Sequence, residues 1–280
     1  MRFLRTLTFL AVIAVVAGVG IALWRGSGPL PDPEGCSATV SGHYVSLDTG
    51  QGEVATLISA IAVERGMPAR AASIALATAF QESKLRNLRG GDRDSLGIFQ
   101  QRPSMGWGTQ KQILTPTYAI NTFYDALEKV DGYEKMRITD AAQKVQRSGF
   151  PEAYEPHAPD ARALASALTG YSPGGKFTCV VHDSKKTGTA AAVIGSLRTG
   201  FGSRVLATSG GRQDVVVTVS DSVTGNRLGW SMAQYLVGHA KRLHIHELRF
   251  DNRVWRVGRS SEKGWTKSKA SSTQILVSLG

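Results

Sequence analysis

The stretch from Pro68 to Leu85 reads PARAASIALATAFQESKL, and it decides how the first half of the chain folds. Pro68 suits the first turn of a helix, where a missing N–H costs no hydrogen bond. Ile74, Leu76 and Phe80 then recur among alanines, so the stretch predicts a helix whose small side chains pack closely on all sides. It ends on a carboxylate, Glu82, directly after Phe80-Gln81. A glutamate at the end of a buried helix is partly desolvated, which raises its pKa and keeps it protonated near neutrality. Such a group can give a proton to a leaving oxygen. The plainer reading is a solvated carboxylate paired with Lys84 or Arg86.

Helical patterning continues on both sides. Between residues 53 and 65, Val54, Leu57, Ile58 and Ile61 share one face, and Gly66 stands where a C-cap belongs. Thr115 and Pro116 read as N-cap and first helical residue of a segment carrying Ile120, Phe123, Tyr124 and Leu127. Thr139 caps another segment through Val145, and a last one runs over residues 159–168 to Gly170. A Gly/Ser-rich loop at residues 90–108 separates the first two helices from the rest.

Glu82-Ser83 is followed by Leu96-Gly97-Ile98-Phe99-Gln100-Gln101 and then Pro103. This pairing resembles the lysozyme-like domain of soluble lytic transglycosylases, and the wording GDRDSLGIFQQRPSMGWG with the later AQKVQRSGFPEAY resembles an actinobacterial branch of it. The resemblance covers about residues 55–169. It implies a helical fold with a groove for peptidoglycan glycan strands and Glu82 as acid/base at the MurNAc-GlcNAc bond. Ser83 would orient Glu82, and Gly97, Phe99, Gln100 and Gln101 would line the groove. The usual Ala-Tyr-Asn-Ala-Gly motif is replaced by Gln146-Arg147-Ser148 and Tyr154, which leaves Tyr154 as the substrate contact expected there. In such chemistry the sugar's own C6 hydroxyl can attack the anomeric carbon, so no second carboxylate is needed. Hydrolysis would need one, and Asp92 and Asp94 are eligible, though in a GDRDS loop they also suit turns. Trp107 and Trp265 can stack on sugars or anchor their loops. A non-catalytic wall-binding scaffold that keeps the fold, and an active peptidase in the C-terminal half, are the alternative functions.

After Cys179 the texture changes, and Lys185, Lys186 and Gly188 mark a break. Strand patterns at 215–219, 245–250 and 254–256 flank an amphipathic helix over 226–243. The segments LGWSMAQYLVGHAKRL and IHELRFDNRVW resemble the C-terminal domain of actinobacterial proteins related to zinc-dependent D,D-peptidases. Those carry histidines near the end, where this chain has Ile275-Leu276-Val277. Apolar side chains cannot ligate zinc, and His244 with His246 on one strand gives too few ligands. The expectation is therefore no metal, no cofactor and a binding or regulatory module.

An apolar run from Leu7 to Trp24 follows Arg2 and Arg5. It is about long enough to span a bilayer and places the rest of the chain outside; a cleaved signal peptide is the other reading. Cys36 and Cys179 are the two cysteines, and an oxidising compartment favours their pairing; two free buried thiols or a lipidated Cys36 are the alternatives. The net charge of +11 over 280 residues suits polyanions, among them anionic cell-wall polymers. With no recognition motif, nucleic acid is not expected.

The sequence thus predicts an α+β multidomain protein of the cell membrane, single-pass with its C-terminal part extracytoplasmic. Residues 1–25 form the anchor, 26–52 a linker in which weak alternation over residues 38–47 suits one hairpin, 53–180 the lysozyme-like domain and 188–280 a smaller α/β domain, for which the element order also allows α+β.

Overall fold

The computed structural model describes residues 15–21, 30–183, 186–210 and 214–280. Residues 15–21 are helical (α1) and exposed. Most of the anchor expected at 7–24 lies outside the described residues, among which no helix is long and apolar enough to cross a membrane. The chain divides into two units, Met1–Pro33 and Glu34–Gly280.

The second unit begins earlier than residue 53. Strands β1 (Gly35–Val40) and β2 (His43–Leu47) form a hairpin, and α2 (Thr49–Glu64) starts at once. Asp48 caps it: its carboxylate accepts from the Gln51 N–H at 2.8 Å while the Gln51 side chain accepts from the Asp48 N–H at 2.9 Å. This reciprocal cap overrides Gly50 and Gly52, which read as spacer residues. Helices α3 (Ala69–Ser83), α4 (Gln110–Ile113), α5 (Pro116–Leu127), α6 (Ile138–Gln146) and α7 (Ala158–Leu168) follow, and β3 (Phe177–Val180) returns to pair with β1. Thr139 does not cap α6; its hydroxyl donates to the Pro151 carbonyl at 2.6 Å, and Arg137 is the cap residue. Cys36 and Cys179 are register partners on β1 and β3 and are joined by a disulfide.

The remainder comprises α8 (Ala190–Phe201), β4 (Leu206–Ser209), β5 (Asp214–Thr218), α9 (Val223–Gly238), α10 (Ala240–Leu243), β6 (Glu247–Phe250), β7 (Arg253–Arg256), β8 (Thr266–Lys267) and β9 (Gln274–Ser278). Their sheet runs β4-β5-β9-β6-β7-β8 and is antiparallel throughout. The C-terminal part is therefore α+β in itself, not α/β. It also shares one continuous core with the helices before it. Buried Gln234 of α9 accepts from the Phe177 N–H and donates to the Ala167 carbonyl, both at 2.7 Å. The indole N–H groups of Trp255 and Trp265 donate to the carbonyls of Cys179 and Phe177. Buried polar groups must be paired, and here the pairing stitches both halves of the chain together.

Candidate active site

Residues Ala71 to Phe80 of α3 are buried without a break, so the helix delivers Glu82 from the interior to the wall of a groove of about 1100 Å³. Lys84 and Leu85 then adopt left-handed conformations, with φ of 56° and 57°, and reverse the chain. The loop at 88–101 folds back onto the helix end. Ser83 holds it there: its hydroxyl donates to the Ile98 carbonyl at 2.7 Å and accepts from the Arg86 N–H at 3.1 Å.

Glu82 is half-buried, and its nearest polar partner is neutral. The Tyr154 hydroxyl donates to Glu82 Oε1 at 2.8 Å. Arg86, a partner considered for Glu82, pairs with Asp48 instead. Burial pushes the Glu82 carboxyl above the usual carboxylate range, against the opposing hydrogen bonds from Tyr154 and Gln146. Burial also pushes the Tyr154 phenol well up, with the Glu82 charge adding to it, so the phenol remains a donor at any physiological pH.

The motif residues separate into a surface set and a support set. Gln100 lines the groove beside Glu82, and its amide N–H donates to the Gly97 carbonyl at 3.2 Å. Phe99 does not line it; its ring is fully buried and stacks on Phe123 with centroids 4.3 Å apart. Gln101 is buried as well, donating to the Ala119 carbonyl and the Thr122 hydroxyl. Gly97 packs beneath Ile113, where an added Cβ would lie 2.9 Å from the Ile113 carbonyl oxygen, and its φ of +77° suits glycine alone. Tyr154 and Ser83 are buried and lie behind the groove lining, the first bonded to Glu82 and the second to the Ile98 carbonyl.

Further groove residues lie outside the Gly97 to Gln101 motif. Gln146, at the end of α6, lines the groove and donates to the Phe99 carbonyl at 2.8 Å. Gln81 lines it beside Glu82, with its Oε1 3.1 Å from His157 Nε2. Trp107, Met105 and Phe150 supply apolar wall, and Lys129, Lys144 and Arg147 supply positive charge. Trp265, by contrast, is a core residue set edge-on to Trp230.

Asp94 is a structural carboxylate. It accepts from Arg102 Nε at 2.6 Å and from the Ser104 N–H at 2.8 Å, and these bonds hold its carboxyl far below the usual range. Asp92 remains exposed on the groove rim. In the C-terminal part, His239 is buried against Tyr235, His244 ends α10 in a left-handed conformation, and His246 Nδ1 lies 3.7 Å from Asp183. Among the described residues no three His, Cys, Asp or Glu side chains gather as a metal site.

No family model matches the sequence, and no curated protein matches it either.

Proposed function

We propose that the protein cleaves the MurNAc-GlcNAc bond of peptidoglycan, with Glu82 as the acid and then the base. The observation that carries this reading is a desolvated carboxyl on the wall of a groove of about 1100 Å³, oriented by the neutral Tyr154 hydroxyl. A carboxyl pushed above its usual range holds its proton more tightly than an ordinary carboxylate and, when protonated, can release it to the glycosidic oxygen as the bond to the anomeric carbon breaks. The resulting carboxylate sits in a low-dielectric wall beside the developing positive charge. It then takes a proton from the attacking nucleophile, either the sugar's C6 hydroxyl, which closes a 1,6-anhydro ring, or water.

We favour the first outcome because an intramolecular hydroxyl is already held at the reacting carbon and needs no second carboxylate beside Glu82. Asp94 is engaged by Arg102 and Ser104, while Asp92 on the groove rim is the carboxylate of that loop left to assist water. A disulfide between Cys36 and Cys179 agrees with an extracytoplasmic site of action, and we read residues 7–24 as the anchor that keeps it there.

The test is digestion of purified sacculi by the protein and by Glu82→Gln, with mass spectrometry of the released muropeptides. Anhydro ends from the unsubstituted protein and none from Glu82→Gln are the expected result. Reducing ends would make it a muramidase. Equal release by both proteins would remove Glu82 from the chemistry, and no release by either would favour a wall-binding scaffold.

A further inference from the structure

Residues 186–280 hold fourteen lysines and arginines against five aspartates and glutamates, a surplus of nine in a chain of net charge +11. Seven of these cations fall between Arg249 and Lys269. Part of that charge is paired locally, since Glu247 bridges both Arg249 and Arg256.

Arg253 and Lys267 are placed differently. They stand directly opposite each other on the antiparallel strands β7 and β8, so their side chains share one face with Cβ atoms about 5 Å apart. Like charges so placed destabilise a sheet. Asp251 is close in sequence, but its Oδ2 accepts from the Trp230 indole at 2.9 Å and from Asn226 at 3.1 Å. Among the described residues neither Arg253 nor Lys267 forms an ion pair.

Both cations line a hollow of about 400 Å³, walled by the Asp251-Asn252 turn, Ser268 and Pro173-Gly174. The turn and the segment after β8 are tied together. Asp251 and Asn252 are both left-handed, with φ of 46° and 57°, as a tight hairpin of matching twist requires. Their N–H groups donate to the carbonyls of Ser271 and Ala270, and the Ser268 N–H donates to the Asn252 carbonyl. The backbone therefore fixes the Cβ atoms of the two cationic residues side by side.

We propose that this hollow is a binding site for a phosphate group of an anionic polymer, with Arg253 and Lys267 as its counter-charges. A guanidinium fork and an ammonium side by side suit the several oxygens of one phosphate, and its charge relieves their mutual repulsion. The surplus of nine across the same part of the chain favours a ligand with many charges, because a field of that sign concentrates polyanions. Among the described residues no exposed large hydrophobic side chain lines the hollow, which favours a soluble polymer over a lipid surface, where apolar anchoring adds to charge. The site lies apart from the groove residues and does not depend on their reading.

The experiment titrates the full chain with linear sodium polyphosphate and compares Arg253→Gln/Lys267→Gln with Lys135→Gln/Arg198→Gln, which removes equal charge from exposed positions elsewhere. The first pair is expected to lose roughly tenfold or more in affinity and the second less than about threefold. Without ligand, the first pair should melt no lower than the unsubstituted protein, because a repulsion is gone. Equal losses in both pairs, or no polyphosphate binding by the unsubstituted chain, overturn the proposal. Binding to phosphatidylglycerol vesicles with none to polyphosphate also overturns it and assigns the charge to lipid headgroups.

Discussion

The Tyr154 hydroxyl donates a 2.8 Å hydrogen bond to Glu82 Oε1 across 72 residues of sequence. An arginine or lysine in that place would hold the carboxyl ionised, whereas a phenol orients it at a smaller cost to its proton affinity. The pair thus combines a fixed direction for the carboxyl with a proton affinity raised by burial, the two properties that the proposed general acid requires.

Replacing Tyr154 with Phe keeps the ring in the core and removes that donor. The hydrogen bond lowers the Glu82 pKa against burial, so its loss should raise the pKa further. The alkaline limb of the pH–rate profile for peptidoglycan turnover should move to higher pH, while kcat falls roughly tenfold to hundredfold as the acid loses its orientation. A limb that stays in place would show that Tyr154 does not set the acid's titration.

His157 is predicted to act on the groove through Gln81. Its ring stacks on Phe80, and its Nε2 lies 3.1 Å from Gln81 Oε1, which leaves the Gln81 amide N–H groups for the groove. Burial lowers the His157 pKa, so near neutrality the ring is neutral and donates through an Nε2–H tautomer. His157→Phe should retain the stack and free Gln81, raising KM about tenfold with kcat little changed, the pattern for lost ground-state binding. Steady-state kinetics on soluble glycan strands separates this from a folding defect, which would lower the active fraction at constant KM.

The disulfide closes a loop of 143 residues. Chain-entropy arguments give about 4–5 kcal/mol for a loop of that size, less any native strain. Cys36→Ser/Cys179→Ser should therefore unfold at clearly lower denaturant concentration, and reduction of the unsubstituted protein should produce the same shift. Coincident unfolding curves with and without reductant would remove the bridge from the stability of this chain.

How much of this was legible in the sequence depends on how local each signal was. Pro68 and the alanine-rich run after it announce α3, and Glu82 is conspicuous because it closes a stretch with no other charge after Arg70. Residues 49–52 were hidden because Gly50 and Gly52 resemble a spacer. Gly52 is small for a tertiary reason: an added Cβ would stand 2.6 Å from Cys36 Sγ, so the glycine lets α2 pass against the disulfide. The motif Gly97 to Gln101 indicated a groove but not which side chains face it. The reversal at Lys84-Leu85 and the left-handed Gln100 turn Phe99 and Gln101 inward. Tyr154, Gln146 and His157 meet α3 only through packing of α6 and α7, and no periodicity encodes that. Helix α8 has no clear sequence signal because AAAVIGSLRTGF carries two glycines and a weak apolar stripe, and its formation relies on packing against α2 and α9.

His239 caps the end of α9 and is almost fully buried between the two parts of the core, its ring stacked on Tyr235 at 4.0 Å and its Nδ1 3.4 Å from the Thr56 hydroxyl of α2. Burial lowers its pKa from 6.5 to about 3, and nearby Arg242 adds to the shift. A histidine whose folded pKa is depressed contributes stability that is fully present above its unfolded pKa and is lost as pH falls. The window here therefore runs from about pH 6.5 down to about pH 3, with a loss of about 2 kcal/mol already at pH 5 and roughly 4–5 kcal/mol in full. His239→Gln keeps a polar side chain against Thr56 but does not titrate. It should cost some stability at pH 7.5 and show a visibly shallower loss between pH 6.5 and 4.5 than the unsubstituted protein. Urea unfolding at both pH values measures the difference. Parallel loss in the two proteins would mean that other groups, not His239, carry the acid sensitivity of the shared core.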